Sequence, residues 1–237
     1  GTTLQYQGMA PKANLVLVEL NGSESDVVDA IKYIFDYAAS VQKPAVINMS
    51  LGTHMGPHDG TSYMDRMIDS YTGAGKIVVG AAGNEGYLPM HISKVFTTQS
   101  KMHTVMDFWE DGNDDKQNFV DIWSKKDANP FNWKIMVYDT LGTKLGETAT
   151  KSTSSTRTTD YITIGTDIIE VQTESEKNAN NKRTNLFMSV VNPQMNVYKI
   201  VMEIEAANDT IHMWNLAYDQ SGMTFSTLPV VSSLNWV

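Results

Sequence analysis

An asparagine stands among small, flexible residues in Gly80-Ala81-Ala82-Gly83-Asn84-Glu85-Gly86, directly behind the short apolar run Ile77-Val78-Val79. The Asn84 side-chain amide is a neutral hydrogen-bond donor. At the end of a buried strand it can serve a carbonyl oxygen that becomes negative during acyl transfer. The glycines let backbone approach a ligand closely and adopt positive φ. The same residues also suit a plain Gly/Asn turn. The elements around them must decide between these readings.

Those elements alternate between strand and helix patterns as far as His91–Val95. Asn14-Leu15-Val16-Leu17-Val18-Glu19-Leu20 is a nearly continuous apolar run and predicts a parallel strand covered on both faces. Ser23 or Ser25 caps a following helix, with Glu24 and Asp26 near its positive end. Val27, Ile31, Ile34, Phe35 and Ala38 give that helix one apolar face. After Pro44, Ala45-Val46-Ile47-Asn48-Met49-Ser50 reads as a second buried strand. Thr61 or Ser62 starts a second helix with the stripe Met64, Met67, Ile68 and Tyr71. Gly73 and Gly75 end it, and Lys76–Gly80 is the next strand. A β-α-β-α-β order implies a parallel sheet, and such sheets bind ligands beyond the carboxyl ends of their strands. Ser50-Leu51-Gly52 and Gly83-Asn84 both fall there.

Beyond Val95 the helical period vanishes. Short apolar segments recur between polar turns: Thr104–Trp109, Phe119–Trp123, Trp133–Tyr138, Tyr161–Ile164, Ile168–Val171, Leu186–Val190, Tyr198–Ile204 and Ile211–Trp214. That spacing predicts a β-sandwich or jelly roll. The Ser/Thr-rich stretch Thr148–Thr159 reads as an exposed loop. The fold class expected for the whole chain is α/β plus all-β.

Composition narrows the function. The 237 residues suit one large domain or two small ones, with 41% hydrophobic and 19% charged residues. A net charge of −9 argues against nucleic acid or an anionic membrane as the main partner. No apolar run reaches the ~18–20 residues of a membrane span. With no cysteine, disulfides, thiol catalysis and Cys-ligated zinc are excluded. Gly1 is not a natural start, so an internal piece of a longer chain is expected. An exported bacterial protein fits this composition; a cytoplasmic or spore-associated one fits as well.

Three segments together resemble the subtilisin-like serine proteases. Gly8-Met9-Ala10-Pro11 with Ala13-Asn14-Leu15 is similar to that family's G-x-A-P-x-A-x-L stretch. Val46–Gly52 resembles its V-I-N-x-S-L-G segment, and Ala81–Gly86 matches its A-A-G-N-E-G oxyanion segment at every position. His58-Asp59-Gly60-Thr61-Ser62 and Val191-Asn192-Pro193 resemble a subgroup that includes clostridial spore-germination proteases, in which a jelly-roll domain follows the oxyanion segment. The resemblance implies a partial subtilase core over 1–93, an inserted β-sandwich/jelly-roll domain over 94–225 and a return segment over 226–237. It implies Asn84 as the oxyanion donor. Ser50, Leu51 and Gly52 would line the substrate by strand addition, with Ala82, Gly83 and Glu85 on the cleft. Its partners would be a peptide or protein substrate and the remaining segments of the parent protease. Open sheet edges invite homo-oligomers.

The family's Asp, His and Ser motifs are absent, so this chain alone is expected to be inactive. Gly52-Thr53-His54-Met55 imitates the His motif but places Leu51 where the catalytic histidine belongs. Gly60-Thr61-Ser62 imitates the Ser motif but precedes Asn84. No cofactor is implied; calcium in the parent stays open, with no site identified. His54, His58 and Asp59 could ligate a metal but lack a fourth ligand. His91 and His103 mark the change in pattern. Asp111, Asn113, Asp114 and Asp115 form an acidic turn without EF-hand spacing. Trp109, Trp123, Trp133 and Trp214 suit either a core or a carbohydrate platform. Two further functions thus stand beside the protease: a catalytically dead pseudoprotease or scaffold, and a carbohydrate- or surface-binding module.

Overall fold

The computed structural model describes residues 8–109, 116–127, 129–154, 156–216, 222–227 and 234–237. Asp111, Asn113, Asp114 and Asp115 lie outside them. The chain forms two compact units, Gly1–Ser50 with Tyr63–Gly80, and Leu51–Ser62 with Ala81–Val237.

In the first unit, helix α1 spans Glu24–Ser40. Ser23 caps it: the Ser23 hydroxyl accepts from the Asp26 N–H at 3.1 Å, and the Asp26 carboxylate accepts from the Ser23 N–H. This reciprocal box satisfies two otherwise orphaned donors. Val28, Ile31, Phe35 and Ala38 are buried, while Val27 and Ile34 are half-buried at the margin of that face. Strand β1 (Ala45–Met49) pairs in parallel with β2 (Lys76–Gly80), Ala45 opposite Lys76 and Met49 opposite Gly80. Helix α2 (Tyr63–Tyr71) lies between them in sequence, with Met64, Met67, Ile68 and Tyr71 half-buried. Ile31, Phe35 and Ile47 form a small core against which Ile68, Tyr71 and Val78 pack.

Two expectations fail in this unit. Asn14–Leu20 forms no strand, and Leu15 and Leu17 are 83% and 90% exposed. A strand buried on both faces needs neighbours on each side, and none of the described residues pairs with it. β1 and β2 are covered on one face only. Val46, Ile77 and Val79 remain exposed because both helices pack against the Ile47 side.

The second unit is β-rich, as the segment pattern anticipates. Its strands are β3 (His91–Phe96), β4 (Ser100–Trp109), β5 (Gln117–Asp127), β6 (Asn132–Tyr138), β7 (Lys144–Glu147) and β8 (Lys151–Ser152). They continue as β9 (Arg157–Ile164), β10 (Asp167–Lys177), β11 (Arg183–Val191), β12 (Lys199–Ala206), β13 (Asp209–Asn215) and β14 (Gly222–Ser226). One sheet runs β3-β13-β5-β11-β10-β9; the other runs β14-β4-β12-β6-β7, with β8 also on β6. Val120, Ile122, Leu186, Met188 and Met213 from the first sheet share one core with Met102, Trp133, Ile135, Ile200 and Met202 from the second.

Thr148–Thr159 departs from the exposed loop expected. Thr148 and Thr153 are buried, and their hydroxyls accept from the N–H groups of Ile135 and Phe131 at 3.1 Å each. These two hydroxyls satisfy backbone donors in β6 and just before it, which water would otherwise have to serve. Asn192 in the Asn-Pro turn is likewise buried, donating to the Tyr198 carbonyl at 3.2 Å.

Candidate active site

Met49 and Gly80 sit opposite each other at the carboxyl ends of β1 and β2, so the chain leaves both strands from the same end of the sheet. Past Gly80 it makes the glycine turn. Gly83 has φ +90°, and a Cβ there would come 3.3 Å from Glu85 Oε2, so only glycine fits without strain. The Asn84 N–H donates to Glu85 Oε2 at 3.0 Å. That bond closes the turn with the residue's own neighbour and leaves the Asn84 side chain exposed. Among the described residues the Asn84 side-chain amide makes no hydrogen bond. Ala82 and Gly83 are exposed beside it, and Glu85 is half-buried.

Past Met49 the chain runs through Ser50, Leu51 and Gly52, all exposed. Leu51–Ser62 then belongs to the second unit. His54 Nε2 lies 3.4 Å from Glu85 Oε2. His58 Nε2 donates to the His54 carbonyl at 3.0 Å. The Gly56 N–H donates to Asp121 Oδ2 at 2.6 Å, and Asp59 pairs with Arg183. Asn181 Nδ2 donates to Thr61 Oγ1 at 2.9 Å, and the Thr61 hydroxyl in turn donates to Asp59. Thr61 is therefore tied up as a loop staple. His54 faces Glu85, and among the described residues no hydroxyl is bonded to it.

The loop packs on a face that strand alternation turns away from the sandwich core. Ile122 and Met213 point inward, so Asp121, Trp123 and Trp214 point outward. Yet Asp121, Trp123, Trp214 and Asn185 are all buried. The His58 ring stacks on Trp214 at 4.4 Å between centroids, and His91 stacks on it at the same distance. His91 Nε2 and His212 Nδ1 share a hydrogen bond of 3.1 Å. Asp121 accepts from the Trp123 indole at 2.8 Å and the Asn185 amide at 2.6 Å as well as from Gly56. Burial pushes the Asp121 carboxyl above its ordinary value, and these three donors offset only part of that. Sequence reading missed Asp121, Asn181, Asn185 and Arg183. The available signal was the alternation Asp121-Ile122-Trp123, in which both outward positions suit a covered face.

The histidines are expected to make the unit acid-sensitive. Burial, then the nearby His212 and His58, lower the His91 pKa; burial, then Lys125 and Arg183, lower that of His212, against an opposing pull from Asp209. A base depressed on folding contributes its stability above the unfolded value, about 6.5, and loses it as pH falls through the folded value. The urea midpoint is therefore expected to fall between pH 7.5 and pH 5. A His91→Phe, His212→Gln double variant should show a visibly smaller fall; an equal fall would remove the histidines as its cause.

The outer face of the other sheet is covered too. His103 and Glu203 are buried there, with His103 Nε2 2.8 Å from Glu203 Oε2. His103 Nδ1 accepts the Asn235 N–H at 3.1 Å, so the imidazole proton sits on Nε2 and goes to Glu203. Burial alone would raise the Glu203 carboxyl. Hydrogen bonds from Lys101 and His103 and the charge of Lys134 outweigh it and hold it below the usual range. His103 thus docks residues 234–237 and has no substrate-facing nitrogen. Trp123, Trp133 and Trp214 are buried and present no stacking platform for sugars; the side chain of Trp109 lies outside the described residues. No group of three or more metal-ligating side chains occurs among the described residues, and no helix among them is long and apolar enough to cross a membrane.

The profile of the subtilase family, Peptidase S8, matches residues 2–168. The solved structure of the Clostridium perfringens CspB protease superposes with a TM-score of 0.62 at 17% identity, over 90% of this chain and 43% of that protein. The chain thus spans less than half the length of that structure.

Proposed function

The chain belongs to the subtilase family, and from that premise we propose that it supplies the oxyanion donor and part of the substrate cleft of a serine endopeptidase larger than itself. The observation that carries this reading is Asn84. Its side-chain amide stands exposed and unpartnered among the described residues, on a glycine turn leaving the carboxyl end of β2. In acyl transfer a serine hydroxyl adds to the scissile carbonyl and a histidine takes its proton. The carbonyl oxygen then carries the negative charge that Asn84 Nδ2–H is placed to meet. Ser50, Leu51 and Gly52 follow β1 in the chain, and in this reading their backbone groups receive a substrate peptide as an added strand. In this reading Ala82, Gly83 and Glu85 belong to the same substrate cleft. The aspartate, histidine and serine of the triad belong to segments outside these 237 residues. The β-sandwich is the inserted jelly-roll domain of the spore-germination type.

A chain lengthened on both sides to include those segments is expected to be labelled at serine by a fluorophosphonate, while the 237-residue chain is not. A longer chain that contains the serine motif and stays unlabelled would favour the pseudoprotease reading.

A further inference from the structure

The covered outer face described above connects two parts of the site. We propose that Asp121 and Arg183 of the sandwich are positioning residues. They fix loop 51–62 and, through His54 and Glu85, the turn that carries Asn84. The proposal rests on the protease reading for its purpose but not for its geometry.

The relay is continuous and every step is a named contact. Asp121 is 3% exposed, and one of its three donors is the loop's own Gly56 N–H, 65 residues away in sequence. A buried carboxylate that loses a donor bears an uncompensated desolvation cost, so the loop is held where that bond can form. Gly56, whose N–H makes that bond, has φ +105°, a conformation that a side chain would resist. Arg183 holds Asp59 on the same loop, and Asn181 holds Thr61. The β5–β11 register shifts between Arg183 and Asn185, where Arg183 faces Asp127 and Asn185 faces Trp123. Such a bulge re-aims side chains. Here it sits between the residue that binds Asp59 and the residue that shares Asp121. From the fixed loop, the His58 imidazole holds the His54 carbonyl, His54 meets Glu85 Oε2, and that same oxygen receives the Asn84 N–H. Leu51 and Gly52 head the loop, so one anchor sets both the wall segment and the oxyanion turn.

Amide hydrogen exchange on the 237-residue chain tests this directly. Asp121→Asn and Asp59→Asn are each expected to speed exchange at residues 53–62 and 83–86 about tenfold or more. The amides of β11 and β12 should keep their protection. Asp59 lies on the exposed loop, so its variant keeps the test open if Asp121→Asn loosens the sandwich. Swapping the charges, Arg183→Asp with Asp59→Arg, is expected to restore much of the protection that either single change removes, which general loosening of the sandwich would not do. His54→Ala should free residues 83–86 and leave residues 53–62 slow. Unchanged exchange at 83–86 in all variants, or no rescue by the swap, would overturn the proposal. The two readings fail separately. A longer chain that is never labelled at serine, with the exchange pattern intact, removes the protease and keeps the relay. Labelling without the exchange pattern does the reverse.

Discussion

Asn84→Ala in the lengthened protease is expected to lower kcat by roughly 10²–10³, about 2.7–4 kcal/mol of transition-state stabilisation, a magnitude carried over from the corresponding donor in subtilisin. KM should change little, because the donor matters to the oxygen that becomes negative and not to the ground-state carbonyl. Folding should be unaffected: the side chain is exposed and has no partner among the described residues. Asn84→Asp provides the sharper control. It keeps the shape and replaces the donor with a carboxylate that repels the developing charge, so it should be at least as slow as the alanine variant. Burst kinetics with an ester substrate separates acylation from later steps. An Asn84→Ala enzyme with full kcat would remove Asn84 from the oxyanion site.

The turn around Asn84 was readable because its chemistry is local. Gly83 must be glycine for its own φ, and Asn84 bonds to its immediate neighbour. The cap at Ser23 and the β-strand segments were readable for the same reason: a box across three residues and a period of two are written within one element. Asn14–Leu20 misled because an apolar run reports a capacity for burial, while burial itself needs neighbours. Leu15 and Leu17 have none among the described residues. Thr148 and Thr153 misled in the opposite sense, since a hydroxyl that serves a buried backbone N–H is indistinguishable by type from one that serves water. The anchoring of the site was the least legible. Asp121 meets Gly56 across 65 residues, and Arg183 meets Asp59 from a bulge that no local pattern announces. Tertiary pairing fixes these contacts, so only a folded chain reveals them.

Trp133→Ala is expected to destabilise the β-sandwich by about 3–5 kcal/mol. Trp133 is 2% exposed, stands opposite Ile204 on β12 and lies in the core shared by both sheets. Removing the indole takes away its transfer free energy and leaves a cavity that two six-stranded sheets, hydrogen-bonded along their lengths, can close only in part. For a chain of this size the loss should lower the melting temperature by roughly 6–20 °C. Trp133→Phe keeps an aromatic plug of smaller volume and should lose much less. The pair of variants also decides what Trp133 is for. A carbohydrate platform would make Trp133→Ala lose glycan binding at nearly constant stability, because a stacking ring works from an exposed face. A core residue does the reverse: the urea midpoint falls with an unchanged m value, and no ligand affinity is there to lose. A stable Trp133→Ala protein would place the ring at a surface and reopen the binding-module reading that its burial now opposes.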